Sequence, residues 1–165
     1  MGEHRAQAAT TGRRRAGRWL VVTVVVGIGL AAGASVALAA GDDRPSAVKG
    51  TPCTAAARAC VDLEANRAWL IKDGKILRGP VAVSHGGQGM ETPKGDFAVE
   101  WKNKDHRSKE FDNAPMPYAV FFAPGGIAFH EGNLVTTSAG CVRLANADAS
   151  AFYDYLQVGN AVQVR

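Results

Sequence analysis

Cysteine is scarce in this chain: there are three in 165 residues, and no two form a Cys-x-x-Cys pair. The four histidines form no pair spaced for a shared metal either. A zinc site needs three or four ligands at suitable spacing, so zinc is only a runner-up chemistry. A phosphate-cradling loop is also missing. Ser84-His85-Gly86-Gly87-Gln88-Gly89 has the glycines but does not join a strand to a helix, which argues against a nucleotide site. There is no internal repeat and no low-complexity tract. Most of the chain also lacks an excess of one charge. Five of the nineteen Lys and Arg and one of the fifteen Asp and Glu lie in the first forty residues, which leaves fourteen of each from Gly41 onward. The net charge of +4 therefore belongs to the leader and gives no reason to expect a nucleic-acid partner.

What is present begins with that leader. Arg5, Arg13, Arg14, Arg15 and Arg18 precede Trp19–Ala40, a run without any charge. A basic stretch before an apolar one marks an export signal, and Ala37-Leu38-Ala39 offers a small-x-small cleavage site. The run also reaches the roughly 20 apolar residues that a membrane-spanning helix needs. Left uncleaved, it would keep the arginines in the cytoplasm and the remainder outside. Residues 1–40 are thus expected to be a signal peptide or a signal-anchor helix, 41–52 a polar linker, and 53–165 one domain. Either fate of the leader makes the domain extracytoplasmic, secreted or held at the outer face of the membrane. Cysteines outside the cytoplasm tend to pair, so Cys53 and Cys60 are expected to form a disulfide closing a short loop, leaving Cys141 alone.

The domain reads as mainly β. Apolar runs in Ala59–Ile71 and Lys75–Ser84 flank Asp73-Gly74, a strong hairpin signal, and Pro80 in the second run implies an edge or a break. Ser84–Gly95 must be a loop. Phe97, Val99 and Trp101 alternate on one face of a strand, and the polar stretch 101–115 is expected to be an excursion. Further strands are expected over Met116–Phe122, Gly125–His130 and Val158–Arg165. The one good helix spans Ala145–Leu156, with Asn146 or Asp148 as its cap and Phe152 and Leu156 on its buried face.

Chemistry concentrates in His130-Glu131-Gly132-Asn133-Leu134-Val135-Thr136-Thr137-Ser138-Ala139-Gly140-Cys141-Val142-Arg143-Leu144. A free cysteine is commonly a buried structural thiol. Here it is unpaired in an exported domain and follows small residues that let backbone N–H groups approach a bound atom. Such donors can form an oxyanion hole, where losing one costs about 2.7–4 kcal/mol. His130 ends an apolar strand and can draw the thiol proton, giving a thiolate–imidazolium pair. His85, in the glycine loop, could line a substrate site; His106 is expected to be solvated, and His4 precedes the leader.

This stretch resembles the signature of the L,D-transpeptidase catalytic domain, a histidine followed by Ser/Thr-x-Gly-Cys-aliphatic-Arg/Asn. Pro80–Val99 resembles the same family's Ser-bearing loop and Thr-Pro-x-Gly-x-Phe block, here Ser84, Thr92, Pro93, Gly95 and Phe97. The likeness runs from Cys60 to Arg165. It implies a β-sandwich with one helix after the cysteine, and peptidoglycan stem peptides as partners. Cys141 would be the nucleophile and His130 its base, the Glu131 carbonyl would orient the ring, and N–H groups at Gly140 and Cys141 would hold the oxyanion. Ser138 belongs to the same turn, and Arg143 would steer substrate or brace the loop, or else make a structural salt bridge. The residue between Ser138 and Gly140, often histidine in the family, is Ala139, which supplies an N–H but no ring. The reaction implied is cross-linking between the third residues of two stems through a cysteine acyl-enzyme, with no metal or organic cofactor, a monomeric enzyme, and acylation by carbapenems. An L,D-carboxypeptidase and a non-catalytic wall-binding module of the same fold are the alternatives.

Overall fold

The computed structural model describes residues 45–165. The leader expected over 1–40 and the linker residues 41–44 lie outside the described residues. The described elements, in chain order, are β1 (Ala59–Asp62), β2 (Arg67–Lys72), β3 (Lys75–Ala82), β4 (Gly95–Ala98), β5 (Trp101–Arg107), β6 (Pro115–Ala123), β7 (Ile127–Glu131), β8 (Val142–Leu144), α1 (Asn146–Tyr155) and β9 (Ala161–Val164). They form a five-stranded sheet in the order β3-β2-β1-β9-β4, a four-stranded sheet in the order β5-β6-β7-β8, and the one helix.

Period-two patterning decides which faces meet. Ala59 and Val61, Ala68 and Leu70, and Val162 and Val164 of the first sheet share a buried cluster with Val120 and Phe122, Val142 and Leu144 of the second. Helix α1 adds Ala149 and Phe152, and Leu156 follows it into the same core. Phe129 lies at the centre, with ring centroids 4.6 Å from Phe122 and 5.2 Å from Phe152. The helix thus bears on the strand that carries His130. A satellite cluster of Val48, Ala57, Trp69 and Ile71 surrounds the Cys53–Cys60 disulfide, whose cysteines are seven residues apart.

Several elements differ from the sequence reading. The run 59–71 breaks into β1 and β2 at a turn where Asn66 takes a positive φ of 54°. Asp73 and Gly74 do turn the β2–β3 hairpin, both at positive φ as primed turns require, and β3 is an edge strand, as Pro80 allows. Phe97, Val99 and Trp101 do not share one face. The chain leaves the first sheet at β4 and enters the second at β5, so Val99 is buried in the core while Trp101 is 42% exposed on the far side. The polar stretch after Trp101 is strand β5, paired along β6, and only 108–114 is the turn. Its charged side chains hid the strand because Lys102 contributes through its tip, donating to the Leu156 carbonyl oxygen at 2.6 Å. Neither Asn146 nor Asp148 caps α1. Asn146 donates to the Glu131 carboxylate at 2.9 Å and Asp148 pairs with Arg78 at 2.7 Å, so both side chains are held by other elements.

Phe152→Ala should lower the urea-unfolding free energy by about 3–5 kcal/mol, the cost typical of a fully buried phenylalanine. A loss below about 1 kcal/mol would mean that the helix does not clamp β7.

Candidate active site

The site is built on the outer faces of β7 and β8. Phe129, Val142 and Leu144 point into the core, so Ala128, His130, Cys141 and Arg143 project the other way. The two strands run parallel with Phe129 beside Val142 and His130 beside Arg143. Extending that register by one rung sets Cys141 beside Ala128, diagonal to His130. Strand β8 itself was not legible in the sequence: three residues between a loop and a helix carry no measurable period. The face beneath the sulfur is apolar, formed by Met116, Ala119, Phe121 and Ala128. Met116 reaches it because Tyr118 takes a positive φ of 58°, which shifts the in–out alternation along β6.

His130 and Cys141 line one cavity of about 380 Å³ together with Ser108, Phe111, Asn133 and Arg143. Cys141 also borders a second cavity of about 570 Å³, whose walls include Trp101, His106, Phe111, Met116 and Phe121. The half-buried sulfur thus stands where two clefts meet. His130 is only 7% exposed, and its Nδ1 lies 2.6 Å from the Glu131 carbonyl oxygen. A carbonyl can only accept, so Nδ1 carries the hydrogen and Nε2 is the basic nitrogen. The thiol donates to the Gly126 carbonyl oxygen at 3.6 Å rather than to the imidazole.

Burial governs the titration of both groups. It pushes the Cys141 thiol above its ordinary range, and the Ala128 N–H and the Arg143 charge only partly offset this. It pushes the His130 imidazole below its ordinary range, against the smaller upward pull of the Glu131 carbonyl. The thiolate–imidazolium pair expected from the sequence is therefore disfavoured at rest. Burial thus acts on both partners in the sense that opposes the ion pair.

The turn before the cysteine is tied from two sides. Ser138 Oγ donates to the Cys141 carbonyl oxygen at 2.5 Å and accepts the Gly140 N–H at 3.1 Å. The Gly140 N–H, expected as an oxyanion donor, is thus already engaged. Among the described residues the N–H groups of Ala139 and Cys141 have no hydrogen-bond partner. Gly140 takes φ +113°, and a Cβ there would lie 2.5 Å from the Ile127 side chain, so glycine is required. The glycine loop lies behind this turn: Ser84 exchanges backbone hydrogen bonds with Arg143, Gly87 N–H donates to the Ser138 carbonyl, and Ser138 N–H to that of His85. A Cβ on Gly86 would meet the Met90 carbonyl at 2.0 Å, which is why the loop can fold so tightly there.

The remaining sequence candidates separate. Arg143 donates to the Thr136 carbonyl and hydroxyl, both at 3.2 Å, and bridges no carboxylate among the described residues, so it braces the loop after His130. His85 does not line the cysteine's clefts; its ring nitrogens lie 3.0 Å from the carbonyl oxygens of Gly86 and Leu63. His106 is not free in solvent but packs edge-on against Trp101 and Phe121, which stack 3.7 Å apart. Trp101, His106, Phe111 and Met116 went unrecognised as cleft residues because only the β5–β6 pairing brings them to Cys141.

Against this geometry, a family described as the L,D-transpeptidase catalytic domain matches residues 56–164. The chain belongs to that family. Comparison with curated proteins finds no match. Among solved structures, an L,D-transpeptidase from Stackebrandtia nassauensis is 28% identical, with a TM-score of 0.62 over 77% of this chain and 61% of that one. An L,D-transpeptidase from Xylanimonas cellulosilytica is 27% identical, with a TM-score of 0.60 over 70% of this chain and 63% of that one. L,D-transpeptidase 3 from Mycobacterium tuberculosis, solved with a faropenem-derived adduct, is 19% identical and alike in fold, with a TM-score of 0.60 over 67% of this chain and 60% of that one. The chain spans about three-fifths of the length of these relatives.

Alkylation of Cys141 by iodoacetamide should rise with pH to a midpoint above the ordinary thiol value of 9.0. A midpoint below that value would mean that a preformed ion pair outweighs burial.

Proposed function

We propose that the domain is a peptidoglycan L,D-transpeptidase working outside the cytoplasm, with Cys141 as nucleophile and His130 as its base. The observation that carries this reading is the shared cleft. The family's cysteine and histidine project from adjacent parallel strands into one cavity, and the sulfur also faces a second. A transfer between two peptide stems needs room on both sides of the nucleophile, and the paired clefts fit that need.

In this reaction the thiol serves as the acid and the imidazole as the base. As the sulfur attacks the carbonyl carbon of the stem's third, diamino residue, His130 Nε2 takes the thiol proton. Contacts of this kind commonly tighten only when substrate is bound, so the thiol's resting bond to Gly126 does not oppose it. Charge developing on the carbonyl oxygen is met by the unpaired N–H groups of the 138–141 turn. The bond to D-alanine then breaks, His130 returns the proton to the leaving amine, and a thioester remains on Cys141. The side-chain amine of a second stem attacks the thioester and gives its proton to His130. The sulfur leaves and takes that proton back from His130, and an amide joins the two third residues. Hydrolysis differs only in that water takes the amine's place. The Cys53–Cys60 bridge favours an oxidising compartment, in line with the export signal read from residues 1–40.

Incubation with tetrapeptide-bearing muropeptides should yield cross-linked dimers, and Cys141→Ala should yield none while unfolding at the wild-type urea midpoint. Free tripeptides alone would identify a carboxypeptidase, and turnover by Cys141→Ala would displace the nucleophile. Because burial lowers the His130 pKa from 6.5, the base stays neutral and kcat/KM holds as pH falls past that value, dropping only at the depressed one.

A further inference from the structure

We infer that Thr92 is a positioning residue for acyl transfer, its hydroxyl setting the direction in which the Cys141 N–H points. Thr92 lines neither of the two clefts beside Cys141, lies in the glycine loop, and is 3% exposed. Its Oγ1 accepts the Gly86 N–H at 2.9 Å and donates to the Gly140 carbonyl oxygen at 2.6 Å. Threonine has one hydroxyl proton, and Gly86 arrives as a donor, so that proton is committed to Gly140. The hydroxyl therefore cannot reverse its polarity.

The carbonyl of Gly140 and the N–H of Cys141 belong to one peptide unit. That unit is trans, since among the described residues the cis bond is Gly79–Pro80. In a planar trans unit the two groups point in opposite directions. Holding the carbonyl down on Thr92 thus turns the Cys141 N–H away from the loop, and that N–H has no partner among the described residues. The adjoining Gly140 N–H is tied to Ser138, so one peptide plane is fixed by Ser138 and the next by Thr92. A donor that stabilises a developing oxyanion works because it is aimed before the reaction, and Thr92 does the aiming.

The inference rests on the acyl-transfer reading, and its test compares two reactions of one sulfur. Acylation by faropenem develops an oxyanion; alkylation by iodoacetamide is a direct displacement at carbon and does not. Each rate is followed by intact mass, in wild type, Thr92→Val and Thr92→Ser. Valine keeps the shape and removes the hydroxyl, and serine restores it. Thr92→Val should acylate about 10- to 100-fold more slowly while alkylating within about twofold of wild type, with Thr92→Ser recovering most of the acylation rate. Acylation of Thr92→Val at the wild-type rate would overturn the inference. Equal slowing of both reactions would also overturn it, because it would mark a general collapse of the turn. A wild type that is alkylated but never acylated would instead remove the acyl-transfer reading, and the role of Thr92 with it.

Discussion

The parallel pairing of β7 with β8 is the constraint on which the rest of the site depends. Its register turns Phe129, Val142 and Leu144 inward and, by the period-two alternation of strands, brings His130, Cys141 and Arg143 out together. A slip of one residue would bury the cysteine and expose core side chains, so the same apolar packing that stabilises the fold also enforces the site. Phe129 is the link between the two: it lies against Phe122 and Phe152 on one side, and its chain neighbour His130 lines the cleft on the other.

Burial next to that core sets the chemistry. A poorly hydrated pocket disfavours charge on either partner, raising the thiol pKa and lowering the imidazole pKa. Both shifts have the same physical cause and both oppose a standing ion pair. The same low polarity strengthens the backbone dipoles of the 138–141 turn, where the N–H groups of Ala139 and Cys141 have no partner among the described residues. Ser138 and Arg143 act within this frame by holding backbone: Ser138 ties the turn and Arg143 the loop from Asn133 to Thr136.

Much of this was legible in the sequence where the signal is local. The Asp73-Gly74 hairpin, the edge character of β3 and the apolar strands β6 and β7 all follow from turn chemistry and alternation within short windows. His130 and Cys141 stood out through residue type and the small residues before the sulfur. What the sequence hid is non-local. Trp101 continues the alternation of Phe97 and Val99, yet the chain changes sheets between them, and no local pattern records a change of partner. His106 reads as solvated until β6 is placed beside it. Strand β8 is too short to show a period, and Asn146 and Asp148 do not cap the helix because they answer to Glu131 and Arg78, far away in the chain.

The most direct test of the account is rapid-quench mass spectrometry of the enzyme during turnover of a tetrapeptide stem. The account predicts a transient adduct with the mass of the acylating tripeptide, mapped to the peptide that contains Cys141, with released D-alanine equal to the adduct and the products formed from it taken together. Steady turnover with no adduct on that peptide, or with the acyl group on another residue, would contradict it.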